Sequence, residues 1–179
     1  MVIWNLFVIC YFMIIFLEII VGLLALWFVV ILISTLIGVP YLPTHRKQAR
    51  LMIELADIKP GMKIVDLGSG TGRLLFLAAQ KGAHAVGYEI NPFLYCWTKI
   101  KIALWRKGNQ VEVKFQSLYQ ADLKDVDVVL CFLFPSYMVK LEDKLFSELK
   151  SGAKIISYVF SIITRVPVIK KEGVVMYIV

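Results

Sequence analysis

The first 38 residues carry almost no charge, and this stretch limits most strongly what the chain can fold into. Glu18 is the only Asp, Glu, Lys or Arg before Arg46. The twenty positions from Ile19 to Gly38 are uncharged and rich in Leu, Ile, Val, Phe and Trp, and a helix of about 20 apolar residues crosses the roughly 30 Å hydrocarbon core of a bilayer. The sequence therefore predicts a transmembrane helix, with the lipid bilayer as a partner.

The flanks of this stretch predict how it is used. A cleavable signal peptide has a basic start, a shorter apolar core and small residues at the cleavage site, and these features are missing here. We expect one long or tilted span, although residues 1–17 are also apolar and leave a hairpin with two spans open. Basic residues follow the span at His45-Arg46-Lys47 and at Arg50. The positive-inside rule therefore predicts a single-pass membrane protein with its C-terminal part in the cytoplasm.

Beyond the predicted anchor at residues 1–38, the chain divides into a connector with a following helix at 39–57 and a domain at 58–179. The residues after Gly38 contain all 20 Lys and Arg but only 12 of the 13 acids, a formal charge of +8. Such a charge attracts anions, and beside a membrane anchor it favours lipid head groups. Cys10, Cys96 and Cys131 show neither disulfide nor metal spacing, so we predict no metal site.

Short apolar strands alternate with helical patterns along the domain. Strands are predicted at 63–67, 85–89, 111–115, 126–132 and 154–160. Helices are predicted at 46–57, 73–81, 92–105 and 137–149, and a closing hairpin at 166–170 and 174–179. This alternation is typical of the α/β class. We predict a Rossmann-like, doubly wound and mostly parallel sheet with an antiparallel last strand, preceded by the transmembrane helix.

A glycine-rich loop, Asp66-Leu-Gly-Ser-Gly-Thr-Gly72, joins the first predicted strand to a helix. Glycines let a backbone pass close to a ligand, and a helix N-terminus directs amide groups toward it. The dinucleotide pattern needs a glycine where Arg73 stands, and a Walker loop ends in Gly-Lys-Ser/Thr, so the spacing excludes both. A second acid, Glu89, ends the next predicted strand.

The loop and this acid together resemble the class I S-adenosylmethionine-dependent methyltransferases, over roughly residues 58–160. The resemblance implies S-adenosyl-L-methionine as the cofactor, with Asp66 orienting its amino group and Glu89 binding both ribose hydroxyls. Ser117 stands where that superfamily often has an acid for the adenine amino group. The residues that the resemblance assigns to cofactor binding are Asp66, Gly68, Ser69, Gly70, Gly72, Glu89 and Ser117.

A narrower resemblance includes the connector. Pro40-Tyr-Leu-Pro-Thr44, the glycine loop, Gly87-Tyr-Glu-Ile-Asn-Pro92 and Phe134-Pro135 after the fourth strand are similar to the mitochondrial lysine methyltransferases of the ATP synthase c-ring protein and the adenine nucleotide translocase. This resemblance implies protein-lysine N-methylation, with a membrane protein as the partner that carries the acceptor lysine.

Methyl transfer to lysine requires an aligned amine that has lost its proton. Aromatic rings can desolvate the amine, which lowers its pKa, and can hold it by cation–π contact. We therefore predict catalytic positions around the acceptor at Tyr41, Phe134, Pro135 and Tyr137. Packing in the core or at an interface is an equally favoured role for these side chains.

Other functions stay open at this point. The +8 charge and Phe134-Pro-Ser-Tyr137, which faintly resembles a loop that clasps an extruded adenine, favour a nucleic-acid methyltransferase. Phe134 cannot accept a hydrogen bond from a base, and a membrane anchor hinders access of a duplex, so we disfavour nucleic acid as a partner. A lipid or small hydrophobic acceptor, or a non-catalytic membrane-anchored scaffold, is a further alternative.

Overall fold

The computed structural model describes residues 2–36, 43–105 and 109–179. The chain divides into two compact units, Met1–Tyr41 and Leu42–Val179. Most of the predicted connector, including Tyr41, lies outside the described residues.

The first unit contains one unbroken helix, α1, from Val2 to Leu36. Within it, Tyr11–Val29 is long and apolar enough to cross a membrane, and none of that window is buried. The window includes Glu18, which the predicted span Ile19–Gly38 had left outside. A helix of 35 residues is about 52 Å long at ~1.5 Å per residue, longer than a bilayer core. The expectation of one continuous helix instead of a hairpin is confirmed for these residues.

The second unit contains the predicted α/β elements in the predicted order. The helices are α2 (Arg46–Ala56), α3 (Arg73–Gln80), α4 (Pro92–Leu104) and α5 (Pro135–Glu148), with a short 3-10 helix at Leu118–Gln120. The strands are β1 (Lys63–Leu67), β2 (His84–Glu89), β3 (Val111–Phe115), β4 (Val128–Cys131), β5 (Lys154–Tyr158), β6 (Ile169–Lys171) and β7 (Val174–Ile178).

The seven strands form one sheet in the order β3-β2-β1-β4-β5-β7-β6. The neighbours from β3 to β5 are parallel, whereas β7 runs antiparallel to both β5 and β6. The Rossmann-like architecture with an antiparallel last strand is therefore confirmed. The strand order reverses between β1 and β4, and in open α/β sheets ligands bind beyond the carboxyl ends of the strands at such a point.

Helices cover both faces of the sheet. Alternate residues of β1 face opposite sides: Ile64 packs in the cluster formed by α2 and α3, and Val65 packs in the cluster formed by α5. The side chain of Lys154 on β5 donates a hydrogen bond to the carbonyl oxygen of Ala56 at 2.9 Å. This contact and the ion pair between Lys47 and Glu172 at 2.8 Å hold α2 against the sheet.

Candidate active site

The glycine loop leaves β1 in a conformation that requires glycine. Gly68, Gly70 and Gly72 have φ values of +77°, +54° and +73°, a region that other residues rarely adopt. A Cβ atom at Gly72 would lie 2.9 Å from the Cγ2 atom of Thr98. A larger residue at any of these three positions would strain the backbone, and at Gly72 it would also clash with Thr98.

The end of β2 holds this loop in place. The amide groups of Gly68 and Ser69 both donate to the carbonyl oxygen of Tyr88, at 2.9 and 3.1 Å. The close approach depends on Gly87, because a Cβ atom there would lie 2.6 Å from the hydroxyl oxygen of Ser69. The sequence alone does not indicate this role of Gly87, since the contact arises only when β1 and β2 pair in register.

Glu89 lies at the end of β2, the position that the resemblance implied for a ribose-binding acid. Its side chain is 7% exposed. One carboxylate oxygen accepts from the amide of Gly70 and the other from the amide of Asn91, both at 2.7 Å. Each oxygen has a second lone pair, so the carboxylate can still accept two hydroxyl groups of a ligand.

Asp66, on β1, is buried with 3% exposure. Burial, together with the nearby charge of Glu89, raises the pKa of Asp66 to about 8. The carboxyl group therefore carries a proton in most molecules at neutral pH. A cationic group bound beside it would favour the ionised form and reverse this shift.

A ligand with a hydroxylated sugar and a cationic amino group fits these residues. The hydroxyl of Ser69 is buried and has no hydrogen-bond partner within the described part of the chain, which leaves it free for a polar ligand atom. Glu89 has spare lone pairs, and Asp66 lies buried with a pKa of about 8. An orphaned buried polar atom is costly unless a partner satisfies it.

Helix α4 supports the loop from a second side. The hydroxyl of Thr98, which is fully buried, donates to the carbonyl oxygen of Gly70 at 2.9 Å. The ammonium group of Lys101 donates to the carbonyl oxygen of Thr71 at 2.6 Å. Asn91 caps the helix by accepting from the amides of Phe93 and Leu94. The sequence signal for this cap was Asn followed by Pro, but nothing in it indicated that α4 contacts the loop.

The connector ends beside the loop as well. The guanidinium group of Arg73, the first residue of α3, donates a hydrogen bond to the carbonyl oxygen of Thr44. Because Arg73 directly follows Gly72, this contact brings the last residues of the connector next to the glycine loop. The predicted catalytic residue Tyr41 lies outside the described residues, so its position stays a prediction.

The other predicted acceptor residues lie at the start of α5, but not in one group. Phe134 precedes α5, is half-buried, and its ring centroid lies 5.7 Å from that of Phe160. Pro135 is exposed in the first turn of α5. Tyr137 stacks instead on Tyr119, with centroids 6.5 Å apart.

Phe134 belongs to a set of rings at or just beyond the carboxyl ends of β4 and β5, which we call the carboxyl-end aromatic cluster. Its members are Phe132, Phe134, Tyr158 and Phe160. The ring of Phe132 lies 4.9 Å from that of Tyr158 and 6.3 Å from that of Phe160. Of these four residues, only Phe134 was predicted from the sequence. The available signal was that Phe132 and Phe160 were the last residues of the predicted fourth and fifth strands.

Ser117 follows β3 as expected, but its hydroxyl has a local partner. It accepts from the amide of Tyr119 at 3.4 Å and so caps the 3-10 helix. A serine hydroxyl has one donor and a second lone pair left. The assignment of Ser117 to adenine binding stays a prediction.

Comparison with known proteins identifies relatives of this chain. The adenine nucleotide translocase lysine N-methyltransferase of Mus musculus is 39% identical over 133 residues, which are 73% of this chain and 57% of the relative. The lysine N-methyltransferase of the ATP synthase C-subunit in Homo sapiens is 35% identical over 120 residues, 66% of this chain and 50% of the relative. This chain thus spans about half the length of the curated relatives it matches.

A solved structure shows the same fold. This structure is the RNA methyltransferase of Salinibacter ruber, crystallised in complex with S-adenosyl-L-homocysteine. It superposes on this chain with a TM-score of 0.71 at 33% sequence identity, and the match covers 76% of this chain and 91% of the Salinibacter chain. The family described as the ANTKMT methyltransferase domain matches residues 66–169. This range is more than half of the sequence and contains the glycine loop, Glu89 and Phe134. The chain therefore belongs to the ANTKMT methyltransferase family.

Proposed function

We propose that this protein is an S-adenosylmethionine-dependent protein-lysine N-methyltransferase, tethered to a membrane by α1, that acts on a membrane protein. One observation supports the proposal most strongly. The glycine loop closes onto the carboxylate of Glu89 through the amide of Gly70 at 2.7 Å, in a chain of the ANTKMT methyltransferase family. When bound, S-adenosylmethionine supplies a methyl group on a positively charged sulfur, already activated for transfer.

In this proposal, Glu89 binds the two ribose hydroxyls and Asp66 pairs with the amino group of the donor. The hydroxyl of Ser69 gains the partner that it otherwise lacks within the described residues, and Gly68, Gly70 and Gly72 let the backbone lie against the ligand. The bonds from Thr98 and Lys101 to the loop carbonyls keep this surface rigid. Rigid placement of reacting groups is the main contribution that a protein makes to such a transfer.

The carboxyl-end aromatic cluster is the proposed entrance for the acceptor lysine. It lies beyond β4 and β5, and β4 pairs directly with β1, which carries the glycine loop. An amine that enters between aromatic rings loses water, and desolvation favours its neutral form. The neutral amine has the lone pair that the reaction needs. Phe134 and Phe160 border this entrance, and Tyr41, Pro135 and Tyr137 remain proposed contributors.

The membrane setting rests on α1 and on the names of the relatives. Tyr11–Val29 has the length and composition of a membrane span, and the relatives named above are lysine N-methyltransferases of the adenine nucleotide translocase and of the ATP synthase C-subunit. An enzyme held at the bilayer surface would meet lysines at the ends of membrane helices. The basic residues from Arg46 onward support a cytoplasmic position for the catalytic domain.

A second candidate function is methylation of RNA. The Salinibacter protein that this chain resembles in structure is named an RNA methyltransferase, and the net charge of +7 suits a polyanion. The lysine assignment is preferred because Phe134 offers no hydrogen-bond acceptor for a base amino group, whereas its aromatic neighbours suit a cationic side chain.

Radiolabelled S-adenosylmethionine separates these candidates. The full chain is incubated with a membrane fraction, and the label is followed into protein, RNA and lipid. We expect the label in protein and, after hydrolysis to amino acids, in methyllysine. Label that is released by ribonuclease, or that is extracted with lipids, would contradict the lysine assignment.

A matched pair of variants provides the control. Glu89→Gln removes the charge that the proposal assigns to the ribose and should abolish labelling. Glu112→Gln makes the same change at an exposed position on β3 and should leave labelling unchanged. Equal labelling by the two variants would remove Glu89 from the site.

A further inference from the structure

The outer side of α4 is apolar although it faces solvent. Phe93, Trp97, Ile100 and Leu104 are 49%, 55%, 53% and 76% exposed. Their spacing of four, three and four residues aligns them along one side of the helix, and the exposed Cys96 lies beside them. We call these five residues the α4 outer face. Four large apolar side chains in one row on a single helix mark an interaction surface.

The opposite side of the same helix packs on the domain and contacts the glycine loop. Among the residues Pro92–Leu104, which the structure describes throughout, Thr98 is the only one that is buried. With Lys101, it holds the carbonyl groups of the glycine loop. The apolar row is therefore not the side by which α4 packs on the core of the domain. The helix is already seated on the domain by its inner side, and the α4 outer face is left over.

The charges around this helix indicate what covers it. Between Glu89 and Glu112 there is no acidic residue, whereas Lys99, Lys101, Arg106 and Lys107 are basic. Lys99 is exposed on the helix itself. A row of Trp, Phe, Ile and Leu flanked by basic residues is the composition of a helix that lies in the plane of an anionic membrane surface.

We infer that the α4 outer face rests in the head-group region of a bilayer that contains anionic lipid. Trp97 and Phe93 suit the boundary between head groups and acyl chains, and the long side chain of Lys99, which is exposed, can reach past it to the phosphates. The chain also contains α1, whose window Tyr11–Val29 has the length and composition of a membrane span. The same chain that carries this face is thus also proposed to be held at a bilayer, and this favours a bilayer as the partner of the α4 outer face.

This contact has a consequence for the candidate active site. Because α4 touches the glycine loop with its inner side and the bilayer with its outer side, the loop lies about one helix diameter, on the order of 10 Å, from the head groups. The inference concerns the placement of the domain and does not depend on methyl transfer. It can therefore fail or hold independently of the proposed function.

The test uses the full chain with Cys96 as a natural attachment point. Cys10→Ser removes the cysteine in α1, and burial, which raises the pKa of Cys131 to about 12, keeps that thiol unreactive. A nitroxide label on Cys96 is compared in vesicles of phosphatidylcholine alone and with added phosphatidylglycerol. Its accessibility to oxygen, which concentrates in bilayers, is measured against that to a neutral water-soluble nickel chelate.

The control position is Val139 on α5, which is 58% exposed and lies on the other face of the sheet. The label is placed there by Val139→Cys in a chain that also carries Cys10→Ser and Cys96→Ser. In anionic vesicles we expect a several-fold higher ratio of oxygen to nickel accessibility at Cys96 than at position 139. The double variant Phe93→Ser with Trp97→Ser should lose this difference while its thermal unfolding stays cooperative.

Two results would overturn the inference. Equal ratios at the two positions in anionic vesicles would show that water covers the α4 outer face. Broadening of the Cys96 signal by a second label would show instead that another copy of the chain covers it.

Discussion

Two buried carboxyl groups at the ends of neighbouring strands have different surroundings. Glu89 accepts hydrogen bonds from two backbone amides at 2.7 Å. Asp66 lies deeper, and burial and the charge of Glu89 raise its pKa to about 8. Asp66 is therefore the group whose protonation should change when a cationic donor binds.

The affinity for S-adenosylmethionine should accordingly depend on pH. Below about pH 8 the free protein holds a proton on Asp66, and the ammonium group of the donor binds better to the ionised form. Binding should therefore release a proton, and affinity should rise as the pH increases from about 6 to about 8. Calorimetry in buffers of different ionisation enthalpy measures this proton release. Asp66→Asn should abolish it, and unchanged release in that variant would contradict the assignment.

The same shift affects stability in the opposite direction. The folded-state pKa of Asp66 lies above its ordinary value of 3.8, so between about pH 4 and pH 8 the folded chain binds more protons at this site than the unfolded chain. The free energy of unfolding contributed by this group therefore falls as the pH rises through that range. Asp66→Asn should flatten this part of the pH profile.

Gly87 should tolerate no side chain, for a reason of space alone. Its φ is not positive, but a Cβ atom would lie 2.6 Å from both Ser69 Oγ and Leu75 Cδ1. We expect Gly87→Ala to lower the free energy of unfolding by about 1–3 kcal/mol, the range for overpacking, and to weaken donor binding because the glycine loop must move.

Gly152→Ala is the matched control for this prediction. Gly152 has a φ of +82° and open space around it, so alanine there strains only the backbone, by about 1–2 kcal/mol. Donor affinity, measured by calorimetry, should fall in Gly87→Ala and stay unchanged in Gly152→Ala. A normal affinity in Gly87→Ala would show that the loop does not depend on this contact.

Among single residues, the sequence predicted those that belong to a local motif. It did not predict those whose role depends on strand pairing or helix packing. The glycine loop, Asp66 and Glu89 are adjacent to predicted strand ends, and the structure places them there. Gly87 and Thr98 act on the loop across the sheet and from α4. Their roles depend on register and helix packing, which a single sequence does not state.

At the scale of elements, β4 and β5 matter most for the proposed acceptor. Both are shorter than predicted: β4 covers Val128–Cys131 and β5 covers Lys154–Tyr158. β5 ends because Val159 takes a φ of +70°, which a sequence pattern of apolar residues does not reveal. The rings after these strands therefore leave the sheet, and Phe160 contacts both Phe132 and Phe134 at its carboxyl edge.

This cluster should influence the acceptor and not the donor. Phe160→Leu keeps an apolar side chain but removes the ring that contacts both Phe132 and Phe134. We expect a loss in kcat/KM for the protein acceptor on the order of 1 kcal/mol, about fivefold, from the lost ring contact. Phe146→Leu, at a ring on α5 that lies under Arg165, serves as the control. Reduced donor affinity in Phe160→Leu would contradict this division of roles.

At the scale of the whole molecule, the chain combines one apolar helix with one α/β unit. The apolar run and the alternation of strands and helices were both readable from the sequence, because each depends on a period within one segment. The position of β7 between β5 and β6 could not be predicted from the sequence, because a terminal hairpin can pair with a sheet through either of its strands.

Membrane integration by α1 can be tested by introducing one charged side chain into the helix. Leu24 lies within Tyr11–Val29, and a lysine at the centre of a span costs about 2.5–3.5 kcal/mol on insertion scales. Leu24→Lys should shift the full chain from the carbonate-resistant membrane fraction to the extractable one, and Leu24→Ala should not. Resistance in both variants would leave the anchoring role of α1 without support.

Every role proposed above depends on the glycine loop and Glu89 forming the binding site for the methyl donor. Titration calorimetry of the full chain with S-adenosylmethionine measures this binding. We expect saturable binding at one site, retained in Glu112→Gln and lost in Glu89→Gln. Absence of binding by the unaltered chain, or undiminished affinity in Glu89→Gln, would contradict it.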